Sequence, residues 1–339
     1  SMQIIKALQT IDLTKDDADR IIMILNDKGF SCSAIQPKSN DNVELIEFLL
    51  NFWDYDKSPY VQEKLVKGHS IHRKHCYNYT GYIKNYWADY FGNRLLNSIT
   101  SSDISEFMIT LLPCGRSADC INNVVRAGTI GLKWAFQKGK IHNDCFSGII
   151  FCSIPHTTRE VLTLEQASQI FAQKWDNEAA KLANMVALCS GMRSGEILAL
   201  RLKDIGIDRL YVRHSFSPID GLKSCKNGES REVPILPSIR EKLLEQGQKN
   251  PFNQGHEGFI FFGTTPNQPI INKSWIKSLR LACQEAKIPN PEKITFHSWR
   301  HLFAARMADR IEQRKLQRAT GHKTAAMLEH YADHATRED

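Results

Sequence analysis

The chain has 339 residues, which exceeds one typical domain and suits two. Apolar residues make up 42% and charged residues 24%, a composition that excludes a disordered chain and indicates a globular protein with a core. The net charge is +7, and because residues 1–50 carry −3, the rest of the chain carries +10. A polyanionic partner would therefore meet the body of the chain, although an enzyme with an uneven surface charge would show the same pattern.

Membrane insertion and secretion are not expected. No apolar run approaches the length of a membrane-spanning helix, and the first residues lack a basic stretch followed by an apolar one. The nine cysteines form no Cys-x-x-Cys pair, and their odd number argues against a disulfide framework. We expect a protein of a reducing cytoplasm.

The first part of the chain is predicted to be helical. A helix over residues 12–30 would be capped by Thr14 and followed by Gly29, and its acidic character favours packing or partner contact over binding of a polyanion. Further helices are predicted over residues 43–53, 70–87, from Ser101 onward and over 117–138. Residues 1–39 would thus be an amino-terminal helical extension, and residues 40–152 a compact helical domain.

The helix predicted over residues 70–87 has a basic side. Its candidate phosphate contacts are His72, Arg73, Lys74 and Lys84. Spacings of three among His69, His72, His75 and Cys76 would also suit metal ligands. No second pair of ligands is offered to close a tetrahedral site, so we prefer phosphate contact and expect no metal.

Residues 153–160 are polar and contain a proline, which predicts a linker. Thr163 and Gln166 then form a capping-box pattern that begins a new helix. Residues 161–339 are predicted to form helices over about 163–190, 194–204, 273–287, 297–309, 312–319 and 324–331, with strands over about 209–216 and 231–236. The predicted fold class is α+β and predominantly helical: an all-α domain followed by a mixed helical domain with a small antiparallel β-sheet.

Arg193 and Lys226 are the first candidate functional residues. A turn containing Gly191 delivers Arg193 to the start of a helix, where Glu196 would support it one turn later, although a surface ion pair has the same spacing. Lys226 precedes Asn227-Gly228, a strong hairpin signal that would hold the lysine at a strand end. A solvated turn lysine is the ordinary alternative. We interpret the neighbouring Cys225 as inert rather than as a reactive thiol.

The remaining candidates lie near the end of the chain. His297 and Arg300 are three residues apart, so one helix face could present both to a single phosphate, although a packed histidine beside an exposed arginine explains the spacing as well. Gly321 suits the end of a helix, and His322 follows it. Tyr331 comes nine residues after His322.

The order and spacing of these segments resemble the tyrosine recombinase family, the integrases of phages and mobile elements. The matching residues are Gly191, Arg193, Glu196 and Leu200, then Lys226, Arg231, Val233 and Pro234, then His297, Arg300, His301, Phe303 and Ala304, and finally Gly321, His322 and Tyr331. The resemblance covers about residues 160–335 and identifies residues 161–339 as a catalytic domain. Residues 40–152 are similar, less specifically, to the family's SAM-like core-binding domain.

The resemblance implies that the chain cleaves and rejoins DNA without a cofactor or metal. Tyr331 would attack a backbone phosphate to give a 3′-phosphotyrosyl link, and Arg193 and Arg300 would stabilise the charge on the phosphoryl oxygens. Lys226 would protonate the leaving 5′-oxygen. His297 would assist proton movement near the tyrosine, and His322 would donate to a phosphoryl oxygen.

The implied partner is double-stranded DNA with a specific recombination site, bound by a homotetramer in the bacterial cytoplasm at the nucleoid. An excision or accessory factor is a further expected partner. A phage or mobile-element role is preferred. The alternatives are a chromosome-dimer-resolving recombinase, a type IB topoisomerase-like enzyme and a non-catalytic DNA-binding relative. Only about 40 partly acidic residues precede the core-binding domain and eight follow Tyr331, so we expect no arm-binding domain, and the mode of subunit exchange stays open.

Overall fold

The structure is a computed structural model that describes residues 43–155, 162–225 and 230–308, together with residues 20, 21, 23, 24, 27, 28, 310, 312, 316, 317 and 320. The chain divides into two compact units, Ser1–Ile154 and Pro155–Asp339. Several predicted segments lie wholly or mostly outside the described residues. They are the helix over 12–30, the linker over 153–160 and the helices over 312–319 and 324–331.

The first unit is helical in its described part. Its helices are α1 (Leu45–Phe52), α2 (Pro59–Val66), α3 (Arg73–Tyr82), α4 (Ala88–Phe91), α5 (Ser101–Leu111) and α6 (Ala118–Gln137). The predicted helices over 43–53, from Ser101 and over 117–138 are confirmed. α2 is absent from the predicted helices, although Ser58 caps it and Pro59 takes its first position, both ordinary signals of a helix start.

The helix predicted over residues 70–87 is interrupted. α3 ends at Tyr82, and Ile83–Trp87 forms a turn of π-helix before α4 begins. A π-turn adds one residue to the helical turn and so changes which residues face the core. Ile83 and Trp87, at the two ends of the turn, are both fully buried.

Two tryptophans hold α6 against the rest of the first unit. Trp53 donates its indole N–H to the carbonyl oxygen of Ala127 at 2.7 Å, and Trp87 donates to that of Val124 at 2.8 Å. Gly128 lies against Trp87, because a Cβ atom at this position would come within 2.1 Å of the indole ring. Glycine thus allows the close contact between α6 and Trp87.

The second unit combines helices with short strands. Its described elements are α7 (Leu164–Ala172), α8 (Glu178–Ser190), α9 (Ser194–Leu198), β1 (Arg209–Val212), β2 (His214–Ser217), β3 (Gly221–Ser224), β4 (Arg231–Pro234), α10 (Pro237–Gln248), α11 (Lys273–Glu285) and α12 (Phe296–Ala308). The predicted fold class, a predominantly helical protein with small antiparallel sheets, is confirmed. Within the described ranges, no helix has both the length and the apolar character needed to cross a membrane.

The predicted strands over 209–216 and 231–236 pair antiparallel with each other through β1 and β4, but the first of them is divided. The predicted strand over 209–216 is two strands, and the pairs are β1 with β4 and β2 with β3. The strands on either side of Asn227-Gly228 therefore pair elsewhere in the described chain rather than with each other. The described hairpin turns between Ser217 and Gly221, where the Ser217 hydroxyl accepts the backbone N–H of Asp220 at 3.0 Å and Gly221 has a positive φ of 70°.

Helix boundaries in the second unit also differ from the prediction. The helix predicted over 163–190 is two helices, because Asn177 caps a new helix after the break that follows Ala172. The helix predicted over 194–204 ends at Leu198 as α9. α10 is absent from the predicted elements, whereas the helices predicted over 273–287 and 297–309 are confirmed as α11 and α12.

α8 and α12 are joined by a polar bond in an apolar interior. Trp299 of α12 is fully buried and donates its indole N–H to the side-chain oxygen of Asn184 in α8 at 2.7 Å. The Asn184 amide nitrogen donates in turn to the carbonyl oxygen of Ala180 at 2.8 Å. Both groups are thereby satisfied without water among the buried residues of α7, α8, α11 and α12.

We expect Gly128→Ala to lower the free energy of unfolding by about 1–3 kcal/mol, the usual cost of overpacking, because the added methyl group would overlap the Trp87 ring. Urea denaturation measures this change. The matched control is Gly81→Ala, since Gly81 is also helical but has no atom within 4 Å of an added Cβ. That substitution should stabilise the protein by about 0.5–1 kcal/mol. Equal changes in the free energy of unfolding for Gly128→Ala and Gly81→Ala would contradict a close contact between Gly128 and Trp87.

Candidate active site

The turn between α8 and α9 positions Arg193. α8 ends at Ser190, and the next residue, Gly191, has a φ of 63°, the left-handed conformation that favours glycine. A Cβ atom there would also lie 2.4 Å from the ring of Phe303 in α12. Met192 follows and is fully buried, so the turn is anchored immediately before Arg193, the N-cap residue of α9.

Glu196 is the centre of the hydrogen bonds around this turn. It lies in the first turn of α9, and its side chain is 1% exposed. Its Oε2 accepts the backbone N–H of Arg193 at 2.8 Å, and its Oε1 accepts the Arg193 guanidinium at 3.0 Å. Glu196 therefore holds both the backbone and the side chain of Arg193.

Arg231 is a second arginine on the same carboxylate, and it is missing from the predicted site residues. Its two terminal nitrogens donate to Oε1 and Oε2 of Glu196 at 3.0 and 2.6 Å. Arg231 and the buried Val233 are two residues apart on β4, so they share a face of the strand. A cation on the apolar face of a strand needs a buried counter-charge. An arginine two residues before the valine of a predicted strand was therefore the signal in the sequence for a paired Arg231.

Of the two arginines that bind Glu196, Arg193 is the more accessible to solvent. Burial raises the pKa of Glu196, but the hydrogen bonds and charge of Arg231, with those of Arg193, outweigh burial and hold the pKa below its ordinary value of 4.5. The carboxylate is thus ionised at neutral pH. The Arg193 side chain is 25% exposed and that of Arg231 10%, so one carboxylate beside two guanidinium groups leaves a net positive site that suits an anionic oxygen.

Arg300 reaches the same turn from α12. It is 1% exposed, and its guanidinium donates to the carbonyl oxygen of Gly191 at 2.8 Å. His297 is exposed one helical turn earlier, and its ring packs edge-on against His301 with centroids 5.0 Å apart. The structure thus brings Arg193, Glu196 and Arg300 to the end of α8, with His297 on the adjoining turn of α12.

Three predicted site residues, Lys226, His322 and Tyr331, lie outside the described residues. The residue before Lys226 is described. Cys225 is 5% exposed, and its thiol donates to the carbonyl oxygen of Val212 in β1 at 3.5 Å. Burial raises the pKa of this thiol, which is opposite to the lowered pKa of a reactive cysteine. The hydrogen bond of Cys225 therefore holds the chain against β1 directly before Lys226.

The predicted phosphate contacts of the first unit differ in their surroundings. The side chains of all four residues, His72, Arg73, Lys74 and Lys84, are exposed. Arg73 donates to both carboxylate oxygens of Asp56, at 2.7 and 2.6 Å, and lies over the ring of Tyr55. Contact of these side chains with phosphate stays a prediction. Throughout the described ranges, no three His, Cys, Asp or Glu side chains are grouped so that they could hold a metal ion.

We expect Glu196→Gln to lower the free energy of unfolding at pH 7 by about 3–5 kcal/mol, the usual cost of removing one partner of a buried ion pair. The amide keeps the shape but removes the carboxylate charge that Arg231 and Arg193 share. Urea denaturation measures the change. The matched control is Asp208→Asn, which removes a carboxylate from Arg209 where both side chains are at least 43% exposed, so a far smaller change is expected.

The effect of Glu196→Gln should also depend on pH. Because the folded-state pKa is lowered from 4.5, the stabilisation is fully present above that value and is lost as the pH falls through the folded-state pKa. The stability difference between the wild type and the variant should thus be constant from about pH 5 to about pH 8 and narrow only in acid. A difference that widens on acidification would contradict an ion-paired Glu196.

Comparison with known proteins adds an independent observation. The sequence profile of the phage integrase family matches residues 157–338. The chain is 24% identical over 256 residues to the tyrosine recombinase XerC of Rhodospirillum centenum, an alignment that covers 70% of each protein. It is 26% identical over 270 residues to the transposase of transposon Tn916 from Enterococcus faecalis, which covers 73% of this chain and 66% of the transposase.

Solved structures share the fold. The integrase of transposon Tn1549 in complex with a circular intermediate DNA superposes with a TM-score of 0.66 at 18% identity, over 87% of this chain and 98% of that one. The lambda integrase tetramer bound to a Holliday junction gives a TM-score of 0.64 at 18% identity, over 97% of this chain and 90% of that one. Because the family profile spans more than half of the sequence and includes the cluster around Glu196, the chain belongs to the phage integrase family of tyrosine recombinases, enzymes that cleave and rejoin DNA.

Proposed function

We propose that this enzyme is a site-specific recombinase of a mobile element that cuts DNA through a covalent bond to Tyr331. The observation that carries the proposal is the cluster at the end of α8, where Arg193 and Arg300 meet one turn and Glu196 holds Arg193. Guanidinium groups that are oriented before the reaction stabilise negative charge developing on phosphoryl oxygens, since little reorganisation is needed.

In the proposed reaction, the Tyr331 phenol oxygen forms a bond to a backbone phosphorus, and the bond from that phosphorus to the 5′-oxygen breaks. His297 assists removal of the phenol proton, Lys226 gives a proton to the leaving 5′-oxygen, and His322 donates to a phosphoryl oxygen. The phosphodiester energy is kept in the 3′-phosphotyrosyl link, so a 5′-hydroxyl can reverse the step and rejoin the strands.

The buried carboxylate has an indirect role in this proposal. Glu196 binds Arg193 on one side and Arg231 on the other, and Arg231 lies at the start of the strand that follows Lys226 in the chain. We propose that Glu196 and Arg231 are positioning residues that keep the phosphate-binding arginine in register with the segment that carries the proton donor.

Two of the similar proteins support a mobile-element setting. The Tn916 transposase belongs to a transposon, and the Tn1549 integrase has been solved with a circular intermediate DNA, so we favour a mobile element over chromosome-dimer resolution. Double-stranded DNA with a specific site is the proposed substrate. The lambda integrase tetramer on a Holliday junction supports a homotetramer as the assembly in which strands are exchanged. An excision or accessory factor is a further proposed partner.

A mobile-element enzyme should generate a circular form of its element in cells that carry the gene. Outward-facing primers at the two ends of the surrounding element should amplify the circle junction from wild-type cells and not from cells with a Tyr331→Phe allele. Sequencing of the junction would give the recombination site. Absence of a junction from wild-type cells under conditions that express the enzyme would contradict the mobile-element role.

We expect Tyr331→Phe to keep DNA binding and to lose covalent attachment, because the ring remains while the nucleophilic oxygen is removed. The substrate is a nicked duplex that carries the junction sequence and traps the cleaved strand. Binding is measured by fluorescence anisotropy and attachment on a denaturing gel. Tyr77→Phe is the matched control, since Tyr77 is 65% exposed on α3, and it should form the adduct normally. A covalent complex with Tyr331→Phe would exclude Tyr331 as the nucleophile.

A further inference from the structure

The chain on either side of Lys226 is held at one residue of β1. Before Lys226, the Cys225 thiol donates to the carbonyl oxygen of Val212 at 3.5 Å. After it, Arg231 begins β4 and is the partner of Val212 in the antiparallel ladder of β1 and β4. Val212 thus joins to β1 both of the described positions that flank the Lys226 segment, residues 226–229.

The hydrogen bond between Cys225 and Val212 is buried. Val212 is 1% exposed and Cys225 is 5% exposed. Burial raises the pKa of the Cys225 thiol, and the negative charge of Glu196 raises it further against the opposing charges of Arg231 and Arg193. The thiol therefore keeps its proton at neutral pH and is able to donate, which a thiolate is not.

Both flanking positions are also connected to the cluster that holds Arg193. Arg231 donates to both carboxylate oxygens of Glu196, and Glu196 accepts the Arg193 guanidinium. The charges of the same three residues act on the Cys225 thiol, which therefore lies close to them. A short segment with two fixed ends has few conformations, so each end limits where the neighbouring residue can lie.

We infer that Cys225 is a positioning residue of the cleavage reaction and that its thiol acts through Lys226. Lys226 follows Cys225 directly in the chain, so a displacement of Cys225 moves the backbone that carries the lysine. A general acid must lie within hydrogen-bond distance of the leaving oxygen, and a misplacement of about 1 Å can slow a reaction about 100-fold. The inference rests on the proposed function, in which Lys226 gives a proton to the 5′-oxygen as its bond to phosphorus breaks.

Packing is the competing explanation for Cys225, because the residue also belongs to the apolar core of the second unit. The two explanations differ in what removal of the thiol would do to the reaction. Loss of packing would slow attachment to any DNA substrate alike. Loss of the hydrogen bond to Val212 would slow attachment only where the leaving group needs the proton of Lys226.

The test uses two DNA duplexes that differ in one atom. The first has the ordinary phosphate at the cleavage position, which the sequence of the circle junction gives. The second, the sulfur duplex, has sulfur in place of the leaving 5′-oxygen. A thiolate is a much weaker base than an alkoxide, so the bond from phosphorus to sulfur breaks without transfer of a proton to the leaving group.

Three variants of the full chain are compared with the wild type. Cys225→Ala removes the thiol. Cys225→Ser differs from that variant only by a hydroxyl group, which restores a donor for Val212. Cys283→Ala is the matched control, because Cys283 is a fully buried cysteine of α11 in the same unit. Single-turnover rates of covalent attachment are measured on denaturing gels.

On the ordinary duplex, we expect Cys225→Ala to be slower than the wild type by at least about tenfold, a part of the about 100- to 10,000-fold that a general acid contributes. On the sulfur duplex, the same variant should reach the wild-type rate within about twofold, because no proton is needed there. Cys225→Ser should recover most of the rate on the ordinary duplex. Cys283→Ala should leave the ratio of the two rates unchanged.

Three outcomes would overturn the inference. They are an unchanged rate of Cys225→Ala on the ordinary duplex, an equal loss of its rate on both duplexes, and a Cys225→Ser variant as slow as Cys225→Ala. Lys226→Ala tests the proposed function separately, since it should lose attachment to the ordinary duplex and keep attachment to the sulfur duplex. Failure of Lys226→Ala on the sulfur duplex would contradict the role of Lys226 as proton donor, whereas failure of Cys225→Ala alone would contradict only the role of Cys225.

Discussion

The second unit depends on the buried carboxylate of Glu196, whose side chain is 1% exposed. A carboxylate in an apolar interior is stable only when cations and hydrogen-bond donors surround it. Glu196 receives hydrogen bonds from the backbone of Arg193 and from two guanidinium groups, so burial and pairing depend on each other. The desolvation of such a group is offset only when nearly all of its hydrogen-bonding positions are filled. The start of α9 and the start of β4 are therefore fixed by one side chain. The cluster fixes the geometry of the site rather than adding to the stability of the fold. An apolar replacement of the whole cluster could be as stable, but it would not present a cation.

The rest of the scaffold supports that arrangement through close contacts that leave little freedom. Gly191 reverses the chain against Phe303, which lets Arg300 on α12 meet the same turn that delivers Arg193. The first unit uses the same device, because Gly128 admits the Trp87 ring against α6 while two indole N–H groups satisfy helix carbonyls. Interiors packed to this density transmit a change of one methyl group to their neighbours, so the glycines act on the positions of residues that they do not contact directly.

Local signals account for the parts of the fold that could be predicted from the sequence. Thr100 and Thr163 mark the starts of α5 and α7 by capping, and apolar spacing identifies α1, α6 and α11. The π-turn at Ile83–Trp87 and the pairing of β1 with β4 depend on tertiary contacts, which no local pattern contains. In the site, Arg193 and Glu196 could be paired from their spacing of three. The partner role of Arg231 could not, since 35 residues separate it from Glu196.

The bond between Asn184 and Trp299 has a consequence for how α12 is seated. Apolar side chains of similar size can exchange places when one helix slides along another by a turn of about 5.4 Å. A single polar pair in the interface favours one position of the helix. Any shifted packing would leave the Asn184 amide and the Trp299 indole N–H without hydrogen-bond partners, at a cost of about 1–3 kcal/mol each. The bond therefore fixes the position of α12, the helix that carries His297 and Arg300, along α8. Two fully buried residues outside the arginine cluster thus exclude the alternative registers.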